Sequence, residues 1–436
     1  MCKKRVYLLF LIAAMIALFL NSCAGGPEAP ASTEKSAGDR PPTVLRFISS
    51  WGGVDSKAET LKTILNKFVA DNPDIVVQNE SLFGEDFLPK IKTDFASGNN
   101  PDVFGLWPGS DINALIKAGK VADLTGILDG DPAWKDSFSR DMWAYTTYED
   151  KIYGLPVEVI FECLFVNTDL FEKYNVKIPQ NYEELINAVE LFKKHNIIPI
   201  AYNSLAEGTF LYQNVIAMLG GKEDAENPFE NGRVKACYVE AMKYIKELYD
   251  RGAFPKDCFT ISNNERNTLF KDKKAAMIVQ GSWFIGDFTA DNNTVDIMPM
   301  PFILDGKSPE NTLIYGLGGG SFHLGSAAAA DPDKLNASLR LLKTLTSEET
   351  VLVFANETGM ISTVDISRYN TGYRRMTEKG LKMLSNARLL IGPPDSFVDR
   401  SSWETDIAGR FLYYLEGEVS AQEIWDDAVR NDIIPQ

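Results

Sequence analysis

Histidine is scarce in this 436-residue chain, which contains only His195 and His323, and neither has a partner at metal-ligand spacing. The GxSxG, HExxH and EF-hand patterns do not occur. The run Gly306-Lys307-Ser308 ends like a phosphate-binding loop, but Pro301 stands where that loop needs its first glycine. These absences argue against a zinc or calcium enzyme, a serine hydrolase and a phosphate-loop enzyme. An enzyme of this composition would have to work with carboxylates alone.

Cysteine is also rare, and its placement argues against a disulfide framework. Cys2 and Cys23 fall in the N-terminal segment, and three further cysteines remain in the body of the chain: Cys163, Cys237 and Cys258. Their odd number and wide spacing argue against paired disulfides and against a zinc site. We expect buried free thiols, with no metal ion and no cofactor.

Basic residues are fewer than acidic residues. The chain has 44 Lys and Arg residues against 60 Asp and Glu residues, so its formal net charge is −16. Residues 1–22 carry three of the basic residues and no acid, so the remainder of the chain has a charge of −19. A surface of this sign repels phosphate backbones and anionic lipid headgroups. We therefore expect no nucleic acid partner.

Aliphatic and aromatic residues are missing from residues 24–42, AGGPEAPASTEKSAGDRPP, apart from alanine and proline. Such a segment cannot bury enough apolar surface to fold by itself. We expect it to be a flexible tether with a root-mean-square reach of roughly 25 Å.

A targeting signal precedes this tether. Lys3, Lys4 and Arg5 form a positive start, and Val6–Leu20 is an apolar run of secretory-signal length. The stretch Leu20-Asn21-Ser22-Cys23 resembles the bacterial lipobox, in which the peptide is cut before the cysteine and the thiol is lipidated. We expect a signal peptide over residues 1–22, with a lipidated Cys23 and tether over residues 23–42. An uncleaved anchor is the alternative, and either way the body lies outside the cytoplasmic membrane.

The body of the chain alternates between strand and helix patterns. Its first half predicts a strand over Val44–Ser49, a helix opened by a capping box of Ser56 and Glu59, and further strands and helices up to residue 118. A second series begins with a helix capped by Asn181. Strand–helix–strand order with short connections predicts parallel, helix-covered sheets. We therefore expect an α/β protein with two lobes.

Three tryptophans directly follow predicted strands. Trp51 follows the first strand, Trp107 follows DVFGL, and Trp283 follows AAMIV in the stretch FKDKKAAMIVQGSWFIGDF. In open α/β sheets, ligands bind beyond the carboxyl ends of the strands. This position favours a ligand role over core packing for Trp283, although large aromatic side chains are usually buried.

Taken together, the motifs resemble the extracellular solute-binding lipoproteins of ABC importers, the group that includes maltodextrin-binding proteins. The resemblance covers essentially the whole chain and rests on the order of its motifs: a lipobox, FVADNPDIVVQ, PDVFGLWPGSD, DKIYGLPVE, CLFVNTDLFEKYNV, FKDKKAAMIVQGSW and GLGGGSF. It implies a type II periplasmic-binding-protein-like fold, with a hinge of several crossings and a helical C-terminal segment. It assigns residues 43–157 and 276–326 to the N-lobe, and residues 158–275 and 327–436 to the C-lobe.

The resemblance also implies a function. Proteins of this kind capture a sugar or oligosaccharide by hinge closure and deliver it to the transmembrane permease subunits. We expect a monomeric, non-enzymatic receptor that is anchored to the membrane through lipid at Cys23.

The same resemblance supplies candidate ligand-binding residues, each with a structural alternative. Most are matched by motif position: Trp283, Trp107, Asp111, Glu158, Glu207, Phe210 and Trp403, with Trp51 as a weaker candidate. Packing is the alternative for the tryptophans, helix capping for Asp111, and a surface hinge position for Glu158. Thr209 replaces a second aromatic ring of the family, so one stacking subsite is missing or moved. Glu80 and Glu162 are expected on solvated faces.

Other functions remain open at this stage. A secreted glycoside hydrolase with two carboxylates is possible in a chain with 60 acids. A binding protein for a polyamine, phosphonate or peptide, and a sensor lipoprotein, are further alternatives. The acidic charge favours a cation, whereas the three strand-exit tryptophans favour sugar rings.

Overall fold

In this computed structural model the described residues are 41–369 and 371–430. The expected signal peptide, the lipidation site at Cys23 and nearly all of the tether lie outside them. Within these residues, no helix combines the length and the apolar character that crossing a lipid bilayer requires.

The strands of the described residues follow the chain in this order: β1 (Thr43–Ile48), β2 (Ile75–Asn79), β3 (Val103–Gly105), β4 (Thr147–Tyr148), β5 (Lys151–Ile152), β6 (Leu155–Pro156), β7 (Glu158–Asn167), β8 (Ile198–Ala201), β9 (Phe229–Glu230), β10 (Arg233–Val234), β11 (Ala275–Gly281), β12 (Val295–Met298), β13 (Thr312–Leu317), β14 (Ser321–Leu324), β15 (Ile361–Ser362) and β16 (Leu389–Ile391).

The α-helices are α1 (Ala58–Asp71), α2 (Gly84–Ser97), α3 (Ser110–Lys117), α4 (Thr125–Asp129), α5 (Pro132–Lys135), α6 (Thr168–Lys173), α7 (Tyr182–Lys194), α8 (Phe210–Glu226), α9 (Ala236–Asp250), α10 (Asn263–Lys271), α11 (Ser326–Ala330), α12 (Pro332–Leu345), α13 (Glu348–Thr358), α14 (Arg375–Ser385), α15 (Arg400–Ser402), α16 (Phe411–Leu415) and α17 (Ala421–Arg430). Short single turns complete the connections, among them Ala206–Thr209, Ser282–Asp287 and Pro394–Phe397.

The first lobe is built on a five-stranded sheet with the order β2-β1-β3-β14-β6. Strand β1 runs parallel to β2 and β3, and β14 runs antiparallel to β3 and β6. Helices α1, α12 and α13 bury Leu61, Leu341 and Phe354 in one core cluster with strand β1. Helices α2 and α3 bury Phe87 and Ile112 in a second cluster. The sheet is thus covered by helices, as its apolar strands require.

The second lobe is built on a seven-stranded sheet with the order β16-β13-β7-β11-β8, to which β12 and β15 add by pairing with β7. One large core cluster joins it to helices α7, α8, α9 and α17. A separate cluster contains Phe161, Phe165, Phe284 and Met376, from β7, the turn Ser282–Asp287 and α14. Strand β7 is buried at all ten positions.

The two sheets are joined by several crossings of the chain. Val157 separates β6 in the first sheet from β7 in the second, and Gly318–Gly320 separates β13 from β14. After helices α12 and α13 in the first lobe, β15 pairs with β7 again. The glycines are needed because the backbones approach closely: a β-carbon at Gly320 would lie 2.7 Å from the β-carbon of Glu158.

Strand pairing corrects the expected lobe boundaries of 43–157 plus 276–326 and 158–275 plus 327–436. Strands β11, β12 and β13 belong to the second sheet, because β11 and β12 pair with β7 directly and β13 pairs with both β7 and β16. Helices α12 and α13 pack on the first lobe. The family resemblance had implied the opposite lobes for these segments, whereas the strand pairing joins residues that are far apart in the chain.

One predicted helix cap is also wrong. The sequence favoured a capping box of Ser56 and Glu59, but α1 begins at Ala58, and its N-cap residue Lys57 makes no side-chain capping bond. The side chain of Lys57 is instead buried and paired with Glu158. A capping box does occur at α10, between Ser262 and Glu265. The cap predicted at Asn181 is present, since its side chain accepts a hydrogen bond from the amide of Glu184.

Candidate functional site

Trp283 lies at the carboxyl end of β11, beside the central strand of the second sheet. Gly281 is directly opposite Glu162 in the antiparallel pair of β11 and β7, so their side chains belong on the same face of the sheet. A β-carbon at Gly281 would lie 2.0 Å from the Trp283 ring. The indole therefore occupies the space that the side chain of residue 281 would fill, next to the Glu162 side chain. It remains partly exposed.

A second aromatic ring completes this part of the site. Phe210, the first residue of α8, meets Trp283 edge-to-face with ring centroids 5.7 Å apart. Phe210 is also partly exposed. Edge-to-face pairs of this kind hold each other's orientation while leaving ring faces open. The sequence predicted both residues, and the structure brings them together.

Glu162 was expected on a solvated face, and this expectation is wrong. Its side chain is buried, and Oε2 accepts a hydrogen bond of 2.7 Å from Nδ2 of Asn214. Asn214 Nδ2 also donates to the carbonyl of Phe210, so α8 links the carboxyl to the aromatic pair. Burial, together with the nearby charge of Asp395, raises the pKa of Glu162 well above its usual value. An acid within the apolar run VIFECLFV was the signal that the sequence carried.

Glu207 lies at the junction of the two lobes. Its Oε2 is 2.9 Å from Nη2 of Arg266 and accepts a hydrogen bond of 3.1 Å from Nε2 of Gln280. Arg266 is only 1% exposed, so this ion pair is largely removed from solvent. A β-carbon at Gly84, the first residue of α2 in the first lobe, would lie 3.7 Å from Glu207 Oε1. Arg266 and Gln280 were not foreseen, because nothing in a sequence pattern pairs them with Glu207.

On the first lobe, Trp107 and Asp111 face a segment of the second lobe. Trp107 is partly buried against Phe87, and the guanidinium of Arg400 lies 5.9 Å from its ring centroid. Asp111 is buried and forms an ion pair of 2.9 Å with Lys92. Asp111 is not the N-cap of α3, because Gly109 occupies that position.

The matching segment of the second lobe carries a buried ion pair. Asp395 Oδ2 is 2.6 Å from Nη1 of Arg400, and the amide of Asp395 donates to Oε1 of Gln213. Burial outweighs the pairing with Arg400 and raises the pKa of Asp395. A β-carbon at Gly109 would lie 3.2 Å from that of Ser396, so the lobes touch here as well.

Glu158 lies at the hinge rather than on an open surface. Its Oε1 is 3.1 Å from Nζ of Lys57, and its Oε2 accepts a hydrogen bond of 3.1 Å from the amide of Gly320. Both charged side chains are buried, at 2% exposure for Lys57 and 5% for Glu158. Burial alone would lower the pKa of Lys57, but the charges of Glu158 and Asp55 raise it overall. Through these contacts, Glu158 links Lys57 to the chain crossing at Gly320.

Two expected ligand residues are core residues instead. Trp51 is 2% exposed and packs against Phe322 and Phe354, with ring centroids 5.4 and 4.9 Å away. Trp403 is fully buried, and its Nε1 donates a hydrogen bond of 3.0 Å to Oγ1 of Thr209. Neither ring has a free face for a ligand. The expectation of ligand contact is therefore wrong for Trp51 and Trp403.

The predicted ligand residues that remain are divided between the lobes. The second lobe carries Trp283, Phe210 and Glu207, the first lobe carries Trp107 and Asp111, and Glu158 lies at the hinge. Among the described residues, no group of His, Cys, Asp and Glu side chains is arranged to hold a metal ion. The three body cysteines are buried and unpaired, as expected. Two α/β lobes that meet through several crossings, with aromatic rings and polar side chains at the junction, define a hinged ligand-binding protein.

The family follows from a direct match. Residues 54–351 match the family described as bacterial extracellular solute-binding protein, and the chain belongs to this family. The expected family membership is confirmed. The Multiple sugar-binding protein of Streptococcus mutans is 26% identical over 270 residues, which are 59% of this chain and 62% of that protein. The match thus spans somewhat less than two thirds of this relative's length.

Solved structures show the same fold. One comes from work on xylan utilization by the thermophile Caldanaerobius polysaccharolyticus, with a TM-score of 0.79 and 22% identity, covering 89% of this chain and 99% of that one. Another is T. maritima MalE3 bound to maltose, with a TM-score of 0.71 and 20% identity, covering 89% and 98%. The predicted two-lobe α/β fold is confirmed by this likeness.

Proposed function

We propose that this protein is an extracytoplasmic receptor that captures a sugar or oligosaccharide between its lobes. The observation that carries the proposal is the constellation of Phe210 and Trp283 beside Glu162 and Asn214. Aromatic rings suit the apolar C–H faces of a pyranose, and carboxyl and amide groups form hydrogen bonds with its hydroxyls. The names of the relatives support this choice, since one is called a multiple sugar-binding protein and one structure holds maltose.

Capture is proposed to work by hinge closure. The lobes already approach each other where Gly84 meets Glu207 and where Gly109 meets Ser396. A ligand that contacts Trp283 on one lobe and Trp107 on the other gains both sets of contacts only when the lobes are together. Such a ligand shifts the population toward the closed form. The closed form would then deliver the sugar to the permease subunits of an ABC importer.

The proposal includes binding without chemical change and attachment to a membrane. The family consists of binding proteins, which supports a receptor over a hydrolase. The sequence supports a lipid on Cys23, after removal of residues 1–22, and a monomeric receptor on its tether. Mass spectrometry of the mature N-terminus tests the lipid, because a diacylated Cys23 has a characteristic mass and an unprocessed chain begins at Met1.

A thermal-shift panel tests the ligand class. The purified protein is heated with glucose, raffinose, maltotriose and xylotriose, and separately with spermidine and trialanine. A ligand at a hundred times its dissociation constant should stabilise the protein by about 2.7 kcal/mol, which raises the melting temperature. We expect a shift with at least one glycan, which should be recovered chemically intact after denaturation. A shift with spermidine or trialanine alone would contradict the proposal, and recovery of shortened glycan would indicate hydrolysis.

A further inference from the structure

We propose that Glu162 acts in the sugar site as a neutral carboxylic acid, which donates a hydrogen bond to an oxygen atom of the ligand. This inference rests on the proposed function and deepens it, because it makes Glu162 a specificity-determining residue and the ligand an uncharged polyol. A neutral, donating Glu162 would favour a sugar over an amine as the ligand.

The position of Glu162 supports a ligand contact. Its side chain shares a face of the second sheet with the Trp283 indole, through the direct pairing of residue 162 with Gly281. Farther along the same face, Leu164 and Val166 are covered by α8 and belong to the core of the lobe. Toward the other end of β7, Glu158 reaches the hinge. Glu162 therefore lies at the edge of the core of the second lobe, next to the aromatic pair of Trp283 and Phe210.

The surroundings of Glu162 provide no positive charge to hold it ionised. Its side chain is 2% exposed, and it forms no ion pair within the part of the chain that the structure describes. Asp395, from the turn after β16, adds a second negative charge nearby, and its partner Arg400 is shared with Glu404. A buried carboxylate without a cation is costly, so the group takes a proton.

The remaining neighbours are neutral or already paired. Helix α8 contributes the amides of Asn214 and Gln213, and β7 contributes the thiol of Cys163, whose pKa is raised by burial. On β11, Gln280 is bound to Glu207, whose charge is matched by Arg266. These groups leave the protonated form of Glu162 as the favoured one, and burial raises its pKa in the same direction.

The hydrogen bonds indicate which oxygen carries the proton. Asn214 Nδ2 is a donor, so Glu162 Oε2 accepts and does not carry it. Oε1 accepts no hydrogen bond from the described residues, so it is the atom able to donate. A sugar hydroxyl or ring oxygen can accept this hydrogen bond, whereas an ammonium group cannot.

The first test reads the protonation state without any ligand. Because the folded state holds a proton on Glu162 that the unfolded chain releases above about pH 4.5, this group destabilises the fold increasingly as the pH rises. Glu162→Gln removes the titrating group and keeps the shape. The melting temperature of Glu162→Gln minus that of the wild type should therefore rise as the pH increases above about pH 5. Glu59→Gln, at an 87% exposed side chain, is the matched control and should give a constant difference. A constant difference for Glu162→Gln overturns the proposal.

The second test reads the hydrogen bond to the ligand by calorimetry with raffinose and maltotriose, and with spermidine as the cationic probe. Glu162→Gln keeps a donor and should weaken glycan binding by about threefold, whereas Glu162→Ala should weaken it by about tenfold or more. An equal, large loss in both variants would mean that an ionised carboxylate binds the glycan, which overturns only the donor role. Binding of spermidine and of neither glycan would overturn the proposed function together with this inference.

Discussion

Trp283 and Trp403 have the same side chain and opposite surroundings. Trp283 lies over a glycine, meets one aromatic ring edge-on and keeps part of its surface open. Trp403 is fully buried, stacks with Tyr212, meets Trp425 edge-to-face, and donates its ring N–H to Thr209. The first is the proposed ligand residue, and the second is a core residue that contributes to the free energy of unfolding.

Alanine substitution separates these roles. Trp283→Ala should weaken glycan binding by about tenfold or more, because a large aromatic anchor at a binding site is commonly worth about 2 kcal/mol. Its melting temperature should stay close to that of the wild type. Trp403→Ala should lower the free energy of unfolding by about 3–5 kcal/mol through the cavity it leaves. Calorimetry and chemical denaturation measure the two effects. Intact binding together with a large loss of stability in Trp283→Ala would show that Trp283 is a core residue and not a ligand residue.

At this scale the sequence signalled some positions and missed others. Trp283 and Phe210 stood out by their position after a strand and before a helix. Glu162 was assigned to solvent, because a sequence does not show which buried face an acid occupies. Arg266 and Gln280 were not noticed, since their partner Glu207 is more than fifty residues away in the chain. Trp51 followed a strand as predicted, but α13 covers its ring with Phe354.

Among the elements, the hinge segment Gly318–Gly320 leaves no room for side chains. A β-carbon at Gly319 would lie 2.2 Å from Oγ of Ser50, and one at Gly320 would lie 2.7 Å from both Glu158 and the Trp51 ring. The amide of Gly320 also donates to Glu158, which holds Lys57. Side chains at these positions would push the first lobe away from the crossing.

Gly320→Ala should therefore destabilise the protein by about 1–3 kcal/mol, since overpacking at a buried site has this cost. It should also weaken ligand binding, because the closed arrangement requires this close approach. Gly126→Ala is the matched control: apart from its chain neighbours and its own helix backbone, no atom lies within 4 Å of the added carbon, so its stability should stay the same or rise slightly. Chemical denaturation of both variants measures the difference. Equal stabilities for the two variants would show that the hinge tolerates a side chain.

The sequence predicted the elements themselves better than their partners. The strand expected at Val44–Ser49 occurs at Thr43–Ile48, and the helix after DVFGL occurs at Ser110–Lys117. Strand β11 was also foreseen, but it joins the second sheet through β7, which is more than a hundred residues earlier. Local pattern determines whether a segment is a strand, whereas its place in a sheet depends on long-range pairing that no short window contains.

For the molecule as a whole, the surplus of acid makes stability depend on pH. Burial raises the pKa of several carboxyl groups. It raises the pKa of Asp55 to about 6, and it also raises the pKa values of Glu162 and Asp395. Each of these groups binds a proton more tightly in the folded state, so stability falls as the pH rises from about 4 through each raised pKa. Glu80 has the opposite effect on stability, because its hydrogen bond with Arg46 lowers the pKa of its carboxyl group to about 2. The ionised Glu80 therefore stabilises the folded state, and this stabilisation is lost as the pH falls toward 2.

The melting temperature should consequently be highest on the acid side of neutrality and should fall between about pH 5.5 and pH 8. The net charge of −16 adds general repulsion in the same direction. Scanning calorimetry at constant ionic strength measures the profile. Asp55→Asn should flatten the part between about pH 4 and pH 6, because the folded state holds a proton on Asp55 up to its raised pKa of about 6. A melting temperature that rises up to pH 8 would contradict this account.

Strand β7 places the hinge carboxylate of Glu158 and the buried carboxyl group of Glu162 four residues apart. Because side chains alternate between the faces of a sheet, Glu158 and Glu162 share a face only when an even number of steps separates them. Loss or gain of one residue between them would turn one of the two acids to the opposite core, while a change of two would keep both in place and alter their separation by about 7 Å. Relatives that keep both acids on this face should therefore differ from this protein only by an even number of residues between the two acids.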